Sequence, residues 1–358
     1  LVGRTELQRH RVDIGPAVGF ETAATTDTLA TSALSRELDS SVEDPQRRER
    51  LQTAVAELEA TVQRLKQRNA AAIRSFAAGD RTPKATLEEL ALIGQTATRL
   101  RDRVSTLQQQ TDTLDGDSPL SDRLSVLSYE LRTLNGPVRT HVAAVLSAER
   151  PTGQVFIEAS QNSVVLSAIT DDAYLREVYR PTNRASESTQ ISAERASEIA
   201  ATTYPKFWER RGSGTWSVAG PGSLSLVSVQ GIDLGSIETF IDGTTEQRFV
   251  EAKRLTLDQF TATQVTTKVQ DGLRVSLDRS YIGGPLRVTV VDATTGQPVD
   301  ATVRIGQNGQ ESQQIGTTTD GSPVWTITPR GEFTITVLSA DDSAAFVQAT
   351  PQSADEVL

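Results

Sequence analysis

Residues 51–76 constrain the fold most strongly, because their apolar side chains recur at alternating steps of four and three. This is the heptad spacing of a helix that packs along one stripe of its surface. The spacing is broken once, at Asn69, where the next apolar residue is expected. A polar residue at such a position either fixes register and partner number or lies where the stripe frays. Both interpretations stay open, and the first makes Asn69 a candidate self-association residue.

Signals for helix ends lie on both sides of this stripe. Asp44-Pro45 supplies an N-cap acceptor followed by proline, and Gly79 is a stop signal. Thr82-Pro83 repeats the start signal, and apolar residues continue at helical spacing over residues 87–114. Two helices of roughly 30 residues joined by a tight turn fold back antiparallel, and at about 1.5 Å per residue each arm is roughly 45 Å long. We therefore predict a long helical hairpin that acts as a spacer or an interaction surface.

A helical hairpin buries only one stripe on each helix, so further helices should cover the rest. Residues 25–38 and 120–134 have suitable spacing. The prediction for residues 21–150 is therefore a three- or four-helix bundle that contains the long hairpin.

Residues 1–20 form a separate extended segment in this prediction. Leu7, Val12 and Ile14 alternate with polar residues, as in a strand, and no partner strand is evident nearby in the sequence. These three residues are therefore candidates for self-association.

Residues 151–262 predict an α+β domain built as a meander. Short strand-like runs lead to a helix capped by Ser192, and a second group of strands follows with Asp242-Gly243 as a hairpin turn. Over residues 190–258 this order resembles the PepSY-type module. The resemblance implies a secreted or membrane-linked protein.

Residues 263–358 predict an immunoglobulin-like β-sandwich, because short runs alternate apolar and polar residues. A Gly/Pro-containing turn at residues 292–299 separates two of these runs. With the later turns at 319–321 and 331–333, residues 284–340 are similar to the carboxypeptidase-regulatory-like β-sandwich. That family implies a stalk or adhesion module of an exported protein. The fold class predicted for the whole chain is multi-domain α+β.

Several motifs together resemble uncharacterised multi-domain surface proteins of haloarchaea. They are the helical hairpin, the sandwich and the runs Gly136-Pro137-Val138-Arg139, Tyr174-Leu175-Arg176-Glu177 and Tyr204-Pro205. Only five of the 36 basic residues are lysines, and 46 acidic residues give a net charge of -10. This composition is typical of salt-loving archaea, although a GC-rich genome also favours arginine. The acidic balance disfavours nucleic acid as a partner.

The sequence contains neither methionine nor cysteine. Leu1 is therefore interpreted as a processed or trimmed start, and signal-peptide removal would agree with a surface location. No run approaches the ~20 apolar residues that span a bilayer, so any membrane contact is expected through an anchor outside this chain.

Catalytic and metal-binding patterns are sparse. The two histidines, His10 and His141, lie far apart, and no Gly-x-Ser-x-Gly elbow or phosphate-binding loop is present. The remaining candidates are the acidic pairs Asp171-Asp172 and Asp341-Asp342, and Asp242 with Glu246, none of which has EF-hand spacing. The sequence therefore predicts no enzyme activity, no cofactor and no metal site.

Tyr204, Phe207 and Trp208 form a dense aromatic group in a chain with 5% aromatic residues. Such a group is either core at the end of a helix or an exposed binding patch.

The leading functional hypothesis is an extracellular structural protein that self-assembles into a filament or surface array, with the N-terminal strand donated to a neighbouring copy. A monomeric adhesion module that binds surface proteins or glycans, and a peptidase-inhibitory or accessory protein, are the alternatives.

Overall fold

A computed structural model describes residues 4–9, 44–114, 118–151, 153–185, 189–307 and 311–352. Predictions for Val12, Ile14 and residues 25–38 therefore lie outside the described part of the chain.

Between residues 44 and 151 the described chain forms four α-helices: α1 (Asp44–Ala78), α2 (Pro83–Thr111), α3 (Ser118–Arg132) and α4 (Pro137–Leu146). The hydroxyl of Thr82 caps α2 by accepting a hydrogen bond from the Ala85 N–H at 3.2 Å. Gly79 has a positive φ of 91°, which allows the chain to turn sharply between α1 and α2. The predicted long antiparallel hairpin is confirmed.

The hairpin has two separate apolar cores along its length. Residues 51–65 of α1 pack with α2 and α3 in a core made of helices alone. Nearer the turn, Ile73 and Phe76 of α1 pack with α2, α4 and the central sheet. The bundle therefore rests on the sheet at one end and extends beyond it. None of the described helices is long and apolar enough to cross a bilayer.

An eight-stranded antiparallel sheet occupies the centre of the molecule, in the order β1-β2-β3-β4-β8-β7-β6-β5. Its strands are β1 (Arg4–Arg9), β2 (Gln154–Ser160), β3 (Ser163–Ile169), β4 (Ala173–Tyr179), β5 (Thr215–Ala219), β6 (Leu224–Ile232), β7 (Gly235–Asp242) and β8 (Arg248–Thr256). One face packs against α1, α2 and α4, and we call it the helical face. The opposite face carries α5 (Ala193–Thr203), α6 (Pro205–Arg210) and the β-sandwich, and we call it the sandwich face.

The N-terminal strand has its partner within the same chain, which the sequence did not reveal. β1 pairs antiparallel with β2, and Leu7 lies opposite Phe156. Arg4 also donates a hydrogen bond from Nη1 to the Arg81 carbonyl at 3.0 Å and lies over the Phe76 ring. Residues 4–9 are therefore an edge strand of the central sheet rather than a segment apart from it.

Two four-stranded sheets form the predicted C-terminal β-sandwich, in the orders β14-β11-β10-β9 and β13-β12-β15-β16. The strands are β9 (Gln264–Gln270), β10 (Leu273–Arg279), β11 (Pro285–Asp292), β12 (Ala301–Gln307), β13 (Gln313–Thr318), β14 (Val324–Ile327), β15 (Phe333–Ser339) and β16 (Ala344–Ala349). Side chains from both sheets share one apolar core. β14 and the loop after β10 touch the sandwich face of the central sheet, where Thr326 donates a hydrogen bond to Gln154 at 2.6 Å.

Candidate functional site

A pocket of about 210 Å³ lies where α5, α6 and β8 meet the connection to the β-sandwich. An engineered cavity of about 150 Å³ binds benzene, so this pocket has room for a small molecule with a ring. We call it the junction pocket, and it is lined by Thr203, Tyr204, Pro205, Lys206, Phe207, Leu234, Lys253, Leu255, Gln259, Phe260, Thr261, Thr263, Ser280, Tyr281 and Pro285. None of these described lining residues is acidic, although the chain carries a net charge of -10.

Strand β4 supplies charged residues to both faces of the sheet, because successive side chains of a strand point in opposite directions. Arg176 points to the sandwich face and lies over the Tyr281 ring, with 5.0 Å between the guanidinium carbon and the ring centroid. Glu177 points to the helical face and accepts a hydrogen bond from the Arg139 backbone N–H at 2.8 Å. Both charged side chains are buried, so each needs a partner on its own face.

On the sandwich face, Glu251 of β8 is the centre of a buried polar cluster. Its Oε1 accepts a hydrogen bond from Arg176 Nε at 3.2 Å, and its Oε2 accepts one from the Tyr204 hydroxyl at 2.7 Å. Arg248 Nη1 lies 3.5 Å from the same Oε2 and donates to the Tyr204 oxygen at 2.8 Å. Burial raises the pKa of Glu251, but the positive charges of Lys253 and Arg176 outweigh it and lower the pKa to about 2. Glu251 is therefore an ionised carboxylate whose two oxygens are both engaged.

Lys253 lies two residues further along β8, on the same face as Glu251. Its side chain is buried, yet among the described residues its ammonium has a single hydrogen bond, to the Tyr281 hydroxyl at 3.4 Å. Burial lowers the pKa of Lys253, and the negative charge of Glu251 opposes that shift. Arg176, Arg248 and Lys253 thus surround one carboxylate, which leaves an excess of positive charge beside the junction pocket.

Ser280 brings a second polar group to the wall of the pocket. The residue is 5% exposed, and its hydroxyl has no hydrogen-bond partner among the described residues. A buried hydroxyl without a partner is costly. Neighbouring Tyr281 is held near the sheet because the loop that follows it is anchored by Tyr174, whose hydroxyl donates to the Gly283 carbonyl at 2.7 Å.

Of the three residues in the predicted aromatic patch, two line the pocket and one does not. Tyr204 and Phe207 are buried in its wall. Trp208 packs edge-to-face with Trp216, at a ring separation of 5.5 Å, and Arg211 lies over the Trp208 ring. The first two residues therefore belong both to the core and to a cavity wall, so the two interpretations of the patch are not exclusive.

The helical face holds a second buried ion pair, which borders a small cavity of about 10 Å³. Arg139 at the start of α4 lies with Nε 3.2 Å from Glu177 Oε2, and its Nη1 donates to Asn69 Oδ1 at 2.9 Å and to the Leu134 carbonyl at 2.7 Å. Gly136 is required next to this pair, because a Cβ there would lie 2.5 Å from Glu177 Cδ. One positive and one negative charge balance each other here.

The two described self-association candidates, Asn69 and Leu7, both have their contacts within this chain. Asn69 is fully buried and bonds to Arg139 of its own chain, and Leu7 lies in β1 against β2. His141 is 8% exposed on α4, and burial lowers its pKa.

Three of the acidic candidates have partners within the chain. Asp172 forms an ion pair with Arg254, and Glu246 forms one with Arg195. Asp242 accepts backbone N–H groups of its own turn. Among the described residues, no three His, Cys, Asp or Glu side chains are grouped so that they could hold a metal ion.

Lys253, Ser280 and Tyr281 were missed in the sequence. One signal was present in the sequence. Glu251 and Lys253 are two residues apart in a predicted strand, so their side chains share one face of the sheet. The chain has only five lysines, so the presence of Lys206 and Lys253 near the predicted aromatic patch and strand was a second signal. The approach of Tyr281 from the sandwich has no such local signal.

Three family models match successive parts of the chain. Residues 2–151 match a domain of unknown function (DUF7096), residues 155–261 a family of unknown function (DUF7094), and residues 264–346 the archaeal fibronectin-III type-like domain. Comparisons with curated proteins and with solved structures gave no match.

The third match identifies the β-sandwich as similar to an archaeal fibronectin-III type-like domain, where the sequence had resembled the carboxypeptidase-regulatory-like family. A domain of this kind fits an extracellular module in general. The PepSY-like resemblance and the haloarchaeal origin stay predictions.

Proposed function

We propose that this chain is a non-catalytic binding module of an archaeal cell surface and that it takes a small ligand in the junction pocket. The observation that carries the proposal is the pocket itself, an apolar and aromatic cavity with one buried ammonium and one unpartnered hydroxyl in its wall. Pockets with mostly apolar walls and a few placed polar groups are the usual form of a small-molecule site.

Two further features support this proposal. The polar groups around the pocket are held by strands β4 and β8 in the middle of the central sheet, so the wall is pre-organised. The three-part body, with a helical bundle on one face of the sheet and a fibronectin-III-like domain on the other, suits presentation of a site away from a surface.

Ligand-observed NMR with a set of neutral, anionic and cationic single-ring compounds tests the proposal. We expect at least one class to bind the wild-type protein and to be lost in Thr261→Trp, because Thr261 is an exposed lining residue whose replacement fills the mouth of the pocket. Thr267→Trp is the matched control, since Thr267 is exposed on β9 and does not line the pocket. If no compound separates wild type from Thr261→Trp, the pocket is not a binding site.

Self-assembly into a filament or surface array is the second candidate, and the position of β1 is the observation that favours it. β1 pairs along one side with β2, and residues 10–43 lie between it and the rest of the chain. A strand of this kind can make the same backbone pairs with a second copy, which is the geometry of domain swapping.

A disulfide across β1 and β2 separates the two arrangements. Thr5 lies opposite Glu158, so Thr5→Cys with Glu158→Cys forms an intramolecular bond if β1 pairs within its chain and links successive copies if β1 is exchanged. The control pair is Thr267→Cys with Ser276→Cys, which face each other in the β9–β10 hairpin and stay within one chain. Covalent multimers of the first pair alone, on a non-reducing gel of oxidised protein, support exchange; monomers alone refute it.

A further inference from the structure

The excess positive charge at the junction pocket is the feature that points to a particular chemistry. Both oxygens of Glu251 are engaged by Arg176, Tyr204 and Arg248. Glu251 thus leaves the Lys253 ammonium without a hydrogen-bonded carboxylate. A buried charge is stable only when it is paired and hydrogen-bonded. Within the described chain, Lys253 falls short of that condition.

Ser280 provides an independent observation at the same place. Ser280 lines the pocket, and its hydroxyl is buried and has no partner in the described part of the chain. A hydroxyl donates one hydrogen bond and accepts others, so it can complete the coordination of an oxygen anion next to an ammonium. The Lys253 ammonium has one hydrogen bond and the Ser280 hydroxyl has none, and both can donate to an acceptor that enters the pocket.

The rest of the wall defines the body of the ligand. Phe207, Phe260, Leu234 and Leu255 are apolar, and no acidic side chain is among the described lining residues. Lys206 lies exposed at the rim, so two of the five lysines of the chain line this one pocket. In an acidic protein, this arrangement favours entry of an anion.

We propose that the junction pocket binds a carboxylate that carries an apolar ring or chain, with its oxygens at Lys253 Nζ and Ser280 Oγ and its apolar part against Phe207 and Phe260. This inference rests on the proposed binding function and names the ligand class of the same site. Two sources have this chemistry: a free small carboxylate and the C-terminal carboxylate of a peptide that ends in an apolar residue.

Isothermal titration with matched probes tests the ligand class on the wild-type protein. The probes are 3-phenylpropionate and its neutral amide, and a tripeptide that ends in phenylalanine with either a free or an amidated C-terminus. Each pair has one shape and differs in charge. We expect at least one carboxylate to bind about tenfold or more tightly than its amide, since hydrogen bonds to charged groups are the stronger ones. The pair that shows this preference identifies the source.

Three variants test which residues cause the preference for the carboxylate over the amide. Lys253→Met should abolish it, so that the carboxylate and the amide bind equally, and Ser280→Ala should reduce it. Lys84→Met, a lysine on α2 outside the pocket, should leave it unchanged. Thermal unfolding confirms that each variant is folded. If a variant does not fold, the comparison of carboxylate with amide on the wild-type protein still tests the ligand class.

The outcomes separate this inference from the proposed function. Equal binding of acid and amide by the wild type, with both lost in Thr261→Trp, overturns the carboxylate inference and leaves the binding function standing. A carboxylate preference that survives in Lys253→Met also overturns the inference. Binding that is absent, or unchanged in Thr261→Trp, overturns both.

Discussion

The two faces of the central sheet bury the same kind of ion pair and use it differently. Adjacent residues of β4 supply both pairs: Glu177 meets Arg139 on the helical face, and Arg176 meets Glu251 on the sandwich face. The first pair is electrically balanced, lies against α4 and borders a cavity of about 10 Å³. The second has Lys253 and Arg248 beside it and borders a pocket.

This difference shows how a structural ion pair is distinguished from a site. Arg139 and Glu177 balance each other's charge, and hydrogen bonds to Asn69, to the Leu134 carbonyl and from the Arg139 backbone N–H offset much of the cost of burying them. On the sandwich face, the buried ammonium of Lys253 has one hydrogen bond and shares its carboxylate with Arg176 and Arg248, so part of the cost of its burial is unmet. The proposed ligand would supply the missing negative charge. Four predictions test this contrast, from the largest effect to the smallest.

Arg139→Met should cost about 3–5 kcal/mol of unfolding free energy, because it leaves Glu177 as a buried charge without its partner. Arg123→Met is the control: Arg123 pairs with Glu59 at 2.8 Å, but both side chains are about two-fifths exposed, and the loss should stay within about 1 kcal/mol. Urea denaturation measures both. A cost for Arg139→Met no larger than that for Arg123→Met would show that the helical-face pair contributes little.

The sandwich-face cluster should make the unfolding free energy depend on pH in the acid range. The pKa of Glu251 is depressed from 4.5 to about 2, so the unfolded state binds the proton first and stability falls as the pH drops through this interval. The stabilisation is fully present above about pH 4.5, and at about 1.4 kcal/mol per pH unit its loss is on the order of 3 kcal/mol.

Glu251→Gln isolates this contribution from that of other carboxylates. The difference in unfolding free energy between wild type and variant should shrink by that amount between pH 5 and pH 2, as followed by urea unfolding at each pH. A difference that does not change with pH would mean that Glu251 titrates normally.

Asn69→Leu restores the apolar stripe of α1 but removes one acceptor from Arg139. We expect a loss of about 1–3 kcal/mol, the usual value of a buried hydrogen bond to a charged group. The molar mass from light scattering should equal that of the wild type, since the Asn69 contact lies within one chain. A change in mass would return Asn69 to the role of a self-association residue.

Lys253→Met should change the unfolding free energy by no more than about 1 kcal/mol in either direction. Removing this cation relieves its desolvation and its repulsion by Arg176. These gains offset the loss of its attraction to Glu251 and of the Tyr281 hydrogen bond. Chemical denaturation beside Arg139→Met makes the comparison direct. If both substitutions cost the same, the distinction between a balanced and an unbalanced cluster fails.

Elements with local signals were predictable from the sequence, and the hairpin is the best example. The Thr82 cap, the proline after it and the Gly79 turn all act within a few residues, so their effect does not depend on the rest of the fold. The same holds for the Ser192 cap, whose hydroxyl accepts a hydrogen bond from the Arg195 N–H. The partner of β1 was not predictable, because backbone pairing across 145 residues leaves no local pattern.

The candidate site was predictable only in part, for a related reason. Tyr204 and Phe207 were visible as an aromatic group next to a helix end, and alternation places Arg176 and Glu177 on opposite faces. The choice of partner for each charge depends on which module covers each face. Tyr281 reaches Lys253 from the sandwich and Ser280 lines the same pocket, and both positions depend on how the layers assemble.

The distance along the chain between β1 and β2 also sets a minimum delay before these two strands can pair during synthesis. Arg9 pairs with Gln154, so at roughly 5–20 residues per second the chain needs about 7–30 s of synthesis before this partner strand exists. During that time the backbone groups of residues 4–9 have no strand to bond to. The exchange of β1 between copies that we propose above would therefore have to begin in this interval, before β2 of the same chain is available.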